Sequence, residues 1–238
     1  MISIVIPTLN EEAAIDRTVR GIKNGLQLPY EIIVSDGNSA DKTREYARKA
    51  GARVVAYEGV GRQSIAEGRN AGARASTGAY ILFLDADCSV ADPDAFFNRA
   101  LSRFGHDSEL TALTGYVRVS PENEHLSDKL VMGMVNTYFR ILNNIVGVGA
   151  STGEFQFMRR EAFYAVGGFQ NVSSEDMNMF HRLAKKGKTR FDPELVVYHT
   201  GRRIRKIGWT RLLFQWMRSW FSMVFTGKTP STPWPVVR

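Results

Sequence analysis

The chain has 238 residues, 44% of them hydrophobic and 23% charged, with 21 glycines and 8 prolines. This composition excludes collagen-like, low-complexity and wholly disordered proteins, and the length suits one large α/β domain or two small ones. The only cysteine, Cys88, excludes an intramolecular disulfide framework and a multi-cysteine zinc or iron–sulfur site, and favours a reducing compartment. Net charge is +7 and is unevenly placed: no Asp or Glu follows Glu194, whereas eight Lys and Arg residues do, together with all four tryptophans.

The N-terminal run MISIVIPTLNEE has no basic leader and reads as a first strand, Ile2 to Ile6, ended by Pro7. Asn10, Glu11 and Glu12 ahead of Ile15, Val19 and Ile22 predict an N-capped helix that stops near Gly25. Glu31 to Ser35 is a second strand, Ser39 to Lys49 a helix, Ala52 to Ala56 a strand, Gln63 to Ala75 a helix and Ala79 to Leu84 a strand. This alternation implies βαβ units on a parallel sheet, so residues 1–90 form a doubly wound half. Beyond it, helices are expected over Pro93–Phe104, Asp128–Asn144, Arg160–Val166 and Glu175–Lys186. Strands are expected over Leu110–Val119, Glu154–Met158 and Phe191–Tyr198. The longest apolar window, Leu130 to Val148, is interrupted by Asn136, Arg140, Asn143 and Asn144, so no spanning helix is expected. The economical division is a domain over 1–200, with halves 1–90 and 91–200, and a tail over 201–238.

Ligands of an open α/β sheet bind beyond the carboxyl ends of its strands. Three strands end there in polar residues: Pro7, Thr8, Asn10 and Glu11 after the first, Asp36 after the second, Asp85 and Asp87 after the fourth. Two carboxylates at i and i+2 repel unless a cation or donors offset them, and oxygen ligands of this kind suit Mg²⁺ or Mn²⁺. Spacing alone leaves a turn-capping role equally open.

In order and spacing, IVIPTLNEE, IIVSDGNSADKT and GRNAGARASTGAYILFLDAD resemble the nucleotide-sugar glycosyltransferases of family 2, which have the GT-A fold. The resemblance extends over residues 1 to 200 through GEFQFMRREAFYAVGGF and SSED. It implies an α/β, Rossmann-like, mostly parallel central sheet flanked by helices. It also implies that Pro7, Thr8, Asn10, Glu11 and Asp36 hold the nucleoside, and that Arg69 and Asn70 lie near the donor. Asp87, with Asp85 and His199, would hold Mn²⁺ or Mg²⁺. Glu175 would be on the donor side, and Asp176, at a helix start, would be the general base. The implied reaction is inverting transfer from a UDP- or GDP-linked sugar to a glycan or lipid-linked hydroxyl. Two other readings stay open: a polyprenyl-phosphate glycosyltransferase, whose anionic acceptor needs little help from a base, and a non-catalytic nucleotide-binding scaffold at a membrane.

The basic run Arg202, Arg203, Arg205 and Lys206 suits the donor diphosphate or is a solvated charge cluster. From Trp209, helical spacing puts Trp209, Leu212, Leu213, Trp216, Trp220, Met223 and Val224 on one face and Arg211, Gln215, Arg218 and Ser222 on the other. That pattern suits an in-plane anchor on anionic lipid; closing the core or a dimer contact are the alternatives. No nucleic-acid-binding motif is present. The expectation is a cytoplasmic protein, peripheral at the membrane's cytoplasmic face.

Overall fold

The computed structural model describes residues 1–216. Its strands are β1 (Ile2–Thr8), β2 (Tyr30–Asp36), β3 (Arg53–Ala56), β4 (Tyr80–Leu84), β5 (Cys88–Ser89), β6 (Leu110–Val119), β7 (Phe155–Arg159) and β8 (Lys188–His199). They form a single sheet in the order β3-β2-β1-β4-β7-β6-β8-β5, so one sheet runs through both expected halves. The pairs β3/β2, β2/β1, β1/β4 and β6/β8 are parallel, and β4/β7, β7/β6 and β8/β5 are antiparallel.

Alternation along the strands divides the core between the two faces. Ile2, Ile4 and Ile6 of β1 and Leu82 and Leu84 of β4 pack under α1 (Ile15–Gly25) and α4 (Pro93–His106), through Val19, Ile22, Phe96, Phe97 and Phe104. Val5, Ile81 and Phe83 point the other way. They meet α3 (Ile65–Ala75), α6 (Arg160–Ala165) and α7 (Glu175–Ala184) through Ala66, Ala73, Phe163, Met179, Phe180 and Leu183. Because both faces are covered, these strands read as near-continuous apolar runs.

The residues that break the apolar window after 130 anchor a helix to the sheet. The Asn136 side chain on α5 (Leu126–Ile141) accepts from the Val117 amide at 3.0 Å and donates to its carbonyl at 2.9 Å. Asn144, in the π-helical turn Leu142–Val146, pairs in the same way with Phe191. At the start of α5 the buried Asp128 carboxylate takes the Arg205 guanidinium and, at 2.8 Å, the Trp209 indole N–H. Arg205 holds its carboxyl far below the usual carboxylate range, against the opposing effect of burial.

Two helix caps expected from sequence are corrected. Asn10 does not cap α1, which begins at Ile15; Asn10 is left-handed (φ 54°) and its side chain accepts from the Ala40 amide at 2.7 Å. Ser174, expected to cap the helix over Glu175–Lys186, precedes α7 in a left-handed conformation (φ 59°) and makes no side-chain cap. The basic run forms a short helix, α8 (Arg202–Ile207), and residues 209–216 are helical. There Leu212 is buried with Val119 and Ile204, and Trp209 packs beside them, so that part of the predicted amphipathic face is turned onto the domain. Trp220, Met223 and Val224 lie outside the described residues. No helix among the described residues is long and apolar enough to cross a membrane.

Candidate active site

The carboxyl ends of β1, β2 and β4 converge, as parallel neighbours must. Asp36, wholly buried at the end of β2, accepts from the Thr8 hydroxyl at 3.3 Å and the Ser39 amide at 3.1 Å, and also takes the Ser39 hydroxyl. Pro7 and Thr8 pair in register with Ser35 and Asp36. The Asn10 amide donates to Ser39 Oγ at 2.8 Å and the Glu11 amide to Thr43 Oγ1 at 2.7 Å, which stitches the β1 loop to the β2 loop. Pro7, Thr8, Asn10, Glu11 and Asp36 thus share one corner of the sheet edge.

Arg69 is the centre of the next cluster. It is carried on α3, whose start is fixed by a reciprocal Ser64–Glu67 capping box. Its side chain is 1% exposed. The guanidinium donates to Glu175 Oε1 at 2.8 Å, to Asp85 Oδ1 at 3.3 Å and to the Gly153 carbonyl at 2.9 Å, and stands 5.1 Å over the Phe169 ring. Burial opposes its charge, but Glu175, Asp85 and Asp176 outweigh burial and raise its pKa. Asn70, next on the helix, donates to the Phe169 carbonyl and accepts from its amide, both at 2.8 Å.

Gly153 lies between the reacting-group candidates. A Cβ there would stand 3.1 Å from Arg69 Nη2, 3.5 Å from Asp176 Oδ2 and 4.0 Å from Asp85 Oδ2. One small residue therefore separates the second carboxylate of α7 from the first of the Asp85–Asp87 pair. Burial pushes Asp85 up to about 7, with Arg69 opposing and Glu154, Asp87 and Glu175 adding to the rise. Burial and the adjacent Glu175 also push Asp176 well above the usual carboxylate range, while Arg69 and the Met177 amide restrain it.

Asp87 faces the end of β8. The two-residue strand β5 pairs Cys88 with His199, and this brings the Thr200 hydroxyl to 2.6 Å and Arg202 Nε to 3.2 Å from Asp87 Oδ2. The same Arg202 reaches Glu11 at 2.6 Å, joining the nucleoside corner to the Asp85–Asp87 turn. His199 Nδ1 accepts from the Gly201 amide at 3.3 Å, and Nε2 is buried with no hydrogen-bond partner. Arg203 is solvent-exposed on α8. Among the described residues, no three His, Cys, Asp or Glu side chains close into a preformed metal cluster.

Four participants were not singled out from sequence: the Gly153 carbonyl, Phe169, Thr200 and Gln156, whose amide donates to the Asp176 carbonyl at 3.1 Å. Thr200 had the clearest signal, a hydroxyl directly after His199.

An αβ sheet of this order, with an acidic turn after β4 and an acidic start to α7, is that of the GT-A nucleotide-sugar transferases. The chain belongs to glycosyl transferase family 2, whose profile matches residues 3–167. It is 29% identical over 219 residues to the succinoglycan biosynthesis protein ExoA of Rhizobium meliloti, covering 87% of this chain and 65% of ExoA. The chain thus spans just under two thirds of that relative. A mannosyltransferase from Pyrobaculum calidifontis, solved with GDP-Man and Mn²⁺, superposes with a TM-score of 0.72 at 20% identity, over 96% of this chain and 65% of that one. Glucosyl-3-phosphoglycerate synthase from Mycobacterium tuberculosis, solved with Mn²⁺, UDP and glucosyl-3-phosphoglycerate, gives 0.64 at 21% identity, over 97% and 81%.

Proposed function

We propose that this protein is a metal-dependent, inverting glycosyltransferase that moves a sugar from a nucleotide-diphospho-sugar to an acceptor hydroxyl. The observation that carries the reading is the Arg69 cluster, in which one buried guanidinium holds Asp85 and Glu175 together and leaves Asp176 across Gly153 from Asp85. Pro7, Thr8, Asn10 and Asp36 form the nucleoside corner, with Glu11 linking it to Arg202. The Mn²⁺ in both solved neighbours supports a divalent cation in this protein.

The residues present fit such a cation. Asp87 and Asp85 supply carboxylate oxygens, and His199 supplies a buried ring nitrogen with no other partner. His199 would hold the cation through Nε2, with the ring proton on Nδ1, where only the long Gly201 contact stands. When bound, the cation neutralises negative charge on the departing diphosphate. Arg202, shared between Asp87 and Glu11, is the guanidinium placed to meet the same phosphate oxygens. Asp176 takes the proton of the acceptor hydroxyl as its oxygen attacks the anomeric carbon. The bond from that carbon to the diphosphate oxygen breaks on the opposite side, so configuration inverts. The acceptor is met at the cytoplasmic face of a membrane, a reading supported by the acid-free, tryptophan-bearing sequence after Glu194.

The test is transfer by the purified protein, with Mn²⁺, from a panel of UDP- and GDP-linked sugars. Asp176→Asn should retain nucleotide binding and lose about a thousandfold in turnover. Undiminished transfer by that variant would remove Asp176 from the mechanism.

A further inference from the structure

The outward side of α5 departs from the pattern of a solvated helix. Its buried positions are Asp128, Met132 and Asn136, one turn apart. The opposite side carries Leu126, Leu130, Met134, Tyr138, Ile141 and, in the π-helical turn, Ile145. All six are exposed, from 42% at Ile141 to 79% at Ile145. Polar side chains normally occupy such a face. Nineteen residues of helical rise make this an apolar row about 30 Å long, and an exposed row of that extent marks an interaction surface.

The charges beside the row identify its partner. Lys129 and Arg140 flank it and are exposed. Between residues 125 and 153 the sequence contains one acidic residue, Asp128, and that carboxylate is buried under Arg205 and Trp209. An antiparallel pairing of two copies centred near Met134 would set Lys129 opposite Arg140 of the second copy; the carboxylate beside Lys129, Glu124 at 3.8 Å, is 4% exposed and already shared with Arg118 at 2.6 Å, so a positive excess remains. A surface that takes apolar side chains into its interior and offers anions at its boundary matches both features.

We infer that the outward face of α5 is a docking surface for a bilayer containing anionic lipid. The row seats among the acyl chains at the interface, and Lys129 and Arg140 meet the headgroups. From Ile145 the chain continues through exposed Val146 and Val148 to Gly153, whose carbonyl holds Arg69 beside Asp85 and Asp176. The exposed segment is thus joined to Gly153 through the buried residues 149–151.

The full chain should co-sediment with vesicles of phosphatidylcholine plus phosphatidylglycerol more than with phosphatidylcholine alone. The combined variant Leu130→Ser, Met134→Ser and Ile145→Ser, all at exposed positions, should weaken that binding about tenfold with an unchanged circular dichroism spectrum. As an independent readout, a polarity-sensitive dye on Met134→Cys, in a protein whose other cysteine is buried, should shift to the blue on the vesicles. This label reports α5 directly, whatever the tail does. Equal vesicle binding by the triple variant, or a dye unmoved by vesicles, overturns the inference. So does a dimer in solution that the triple variant dissolves.

Discussion

Arg69 shows how much of the site one side chain organises. Its guanidinium is almost wholly buried and answers two carboxylates and a carbonyl, so removing it leaves Asp85 and Glu175 facing each other without a cation. Arg69→Met should cost about 3 kcal/mol in urea unfolding, the scale for breaking a buried ion pair. Adding Glu175→Gln should return part of that loss, because the two changes share one interaction. Asp85 carries the opposite lesson. Its raised carboxyl means that the unfolded chain gives up this proton near pH 4, while the folded chain keeps it until about pH 7. Folded protein binds the extra proton, so this group's contribution to stability falls as pH rises through that window. Asp85→Asn should remove the decline, and metal-free melts at pH 8 should show the variant more stable than the parent. A site residue that lowers the stability of its own fold is held there for another purpose.

Elements explain why the carboxylates stand where they do. Helix α3, expected over Gln63 to Ala75, starts at a Ser64–Glu67 capping box, and this fixes Arg69 and Asn70 on its inner face. Asn70 then pairs with both backbone groups of Phe169. On the other side Arg182 donates to the Val166 and Gly168 carbonyls, so the Gly167–Gly168 turn is clamped twice. Gly168 needs its missing Cβ: its φ is +72°, and a Cβ would fall 2.7 Å from Asn70 Oδ1. Gly168→Ala should lower stability by about 1–2 kcal/mol and weaken nucleotide binding through displacement of α3, measured by denaturation and calorimetry. Ser64→Ala, which removes only the cap, should cost about 1 kcal/mol. The helix expected over Arg160–Val166 stops just before this turn, but the clamp was not legible, because Asn70 and Arg182 lie far from the turn in the chain and meet it only in the fold.

At the scale of the molecule, the sheet order brings the loop after β1 and the segment after β8 to one cleft. The strands β1, β2 and β4 were readable because burial on both faces leaves near-continuous apolar runs, and their polar ends followed directly. The strand β5 was not readable. Two residues have no periodicity, yet the Cys88–His199 pairing is what carries Thr200 and Arg202 to Asp87. Asn10 was misread as a helix cap for a related reason: its amide and side chain are engaged by the Ser39–Ala40 turn, a partner about thirty residues away. The exposed row on α5 was visible only as an interrupted apolar window, since sequence did not say which of its residues face the sheet.

Calorimetric titration of the full chain with UDP and with GDP, in the presence of Mn²⁺ and again in the presence of a chelator, tests the central claim most directly. One of the two nucleotides should bind only with the metal, with binding lost in Asp87→Ala and kept in Asp176→Asn. Binding of equal strength in chelator, or binding by Asp87→Ala as tight as by the parent, would contradict it.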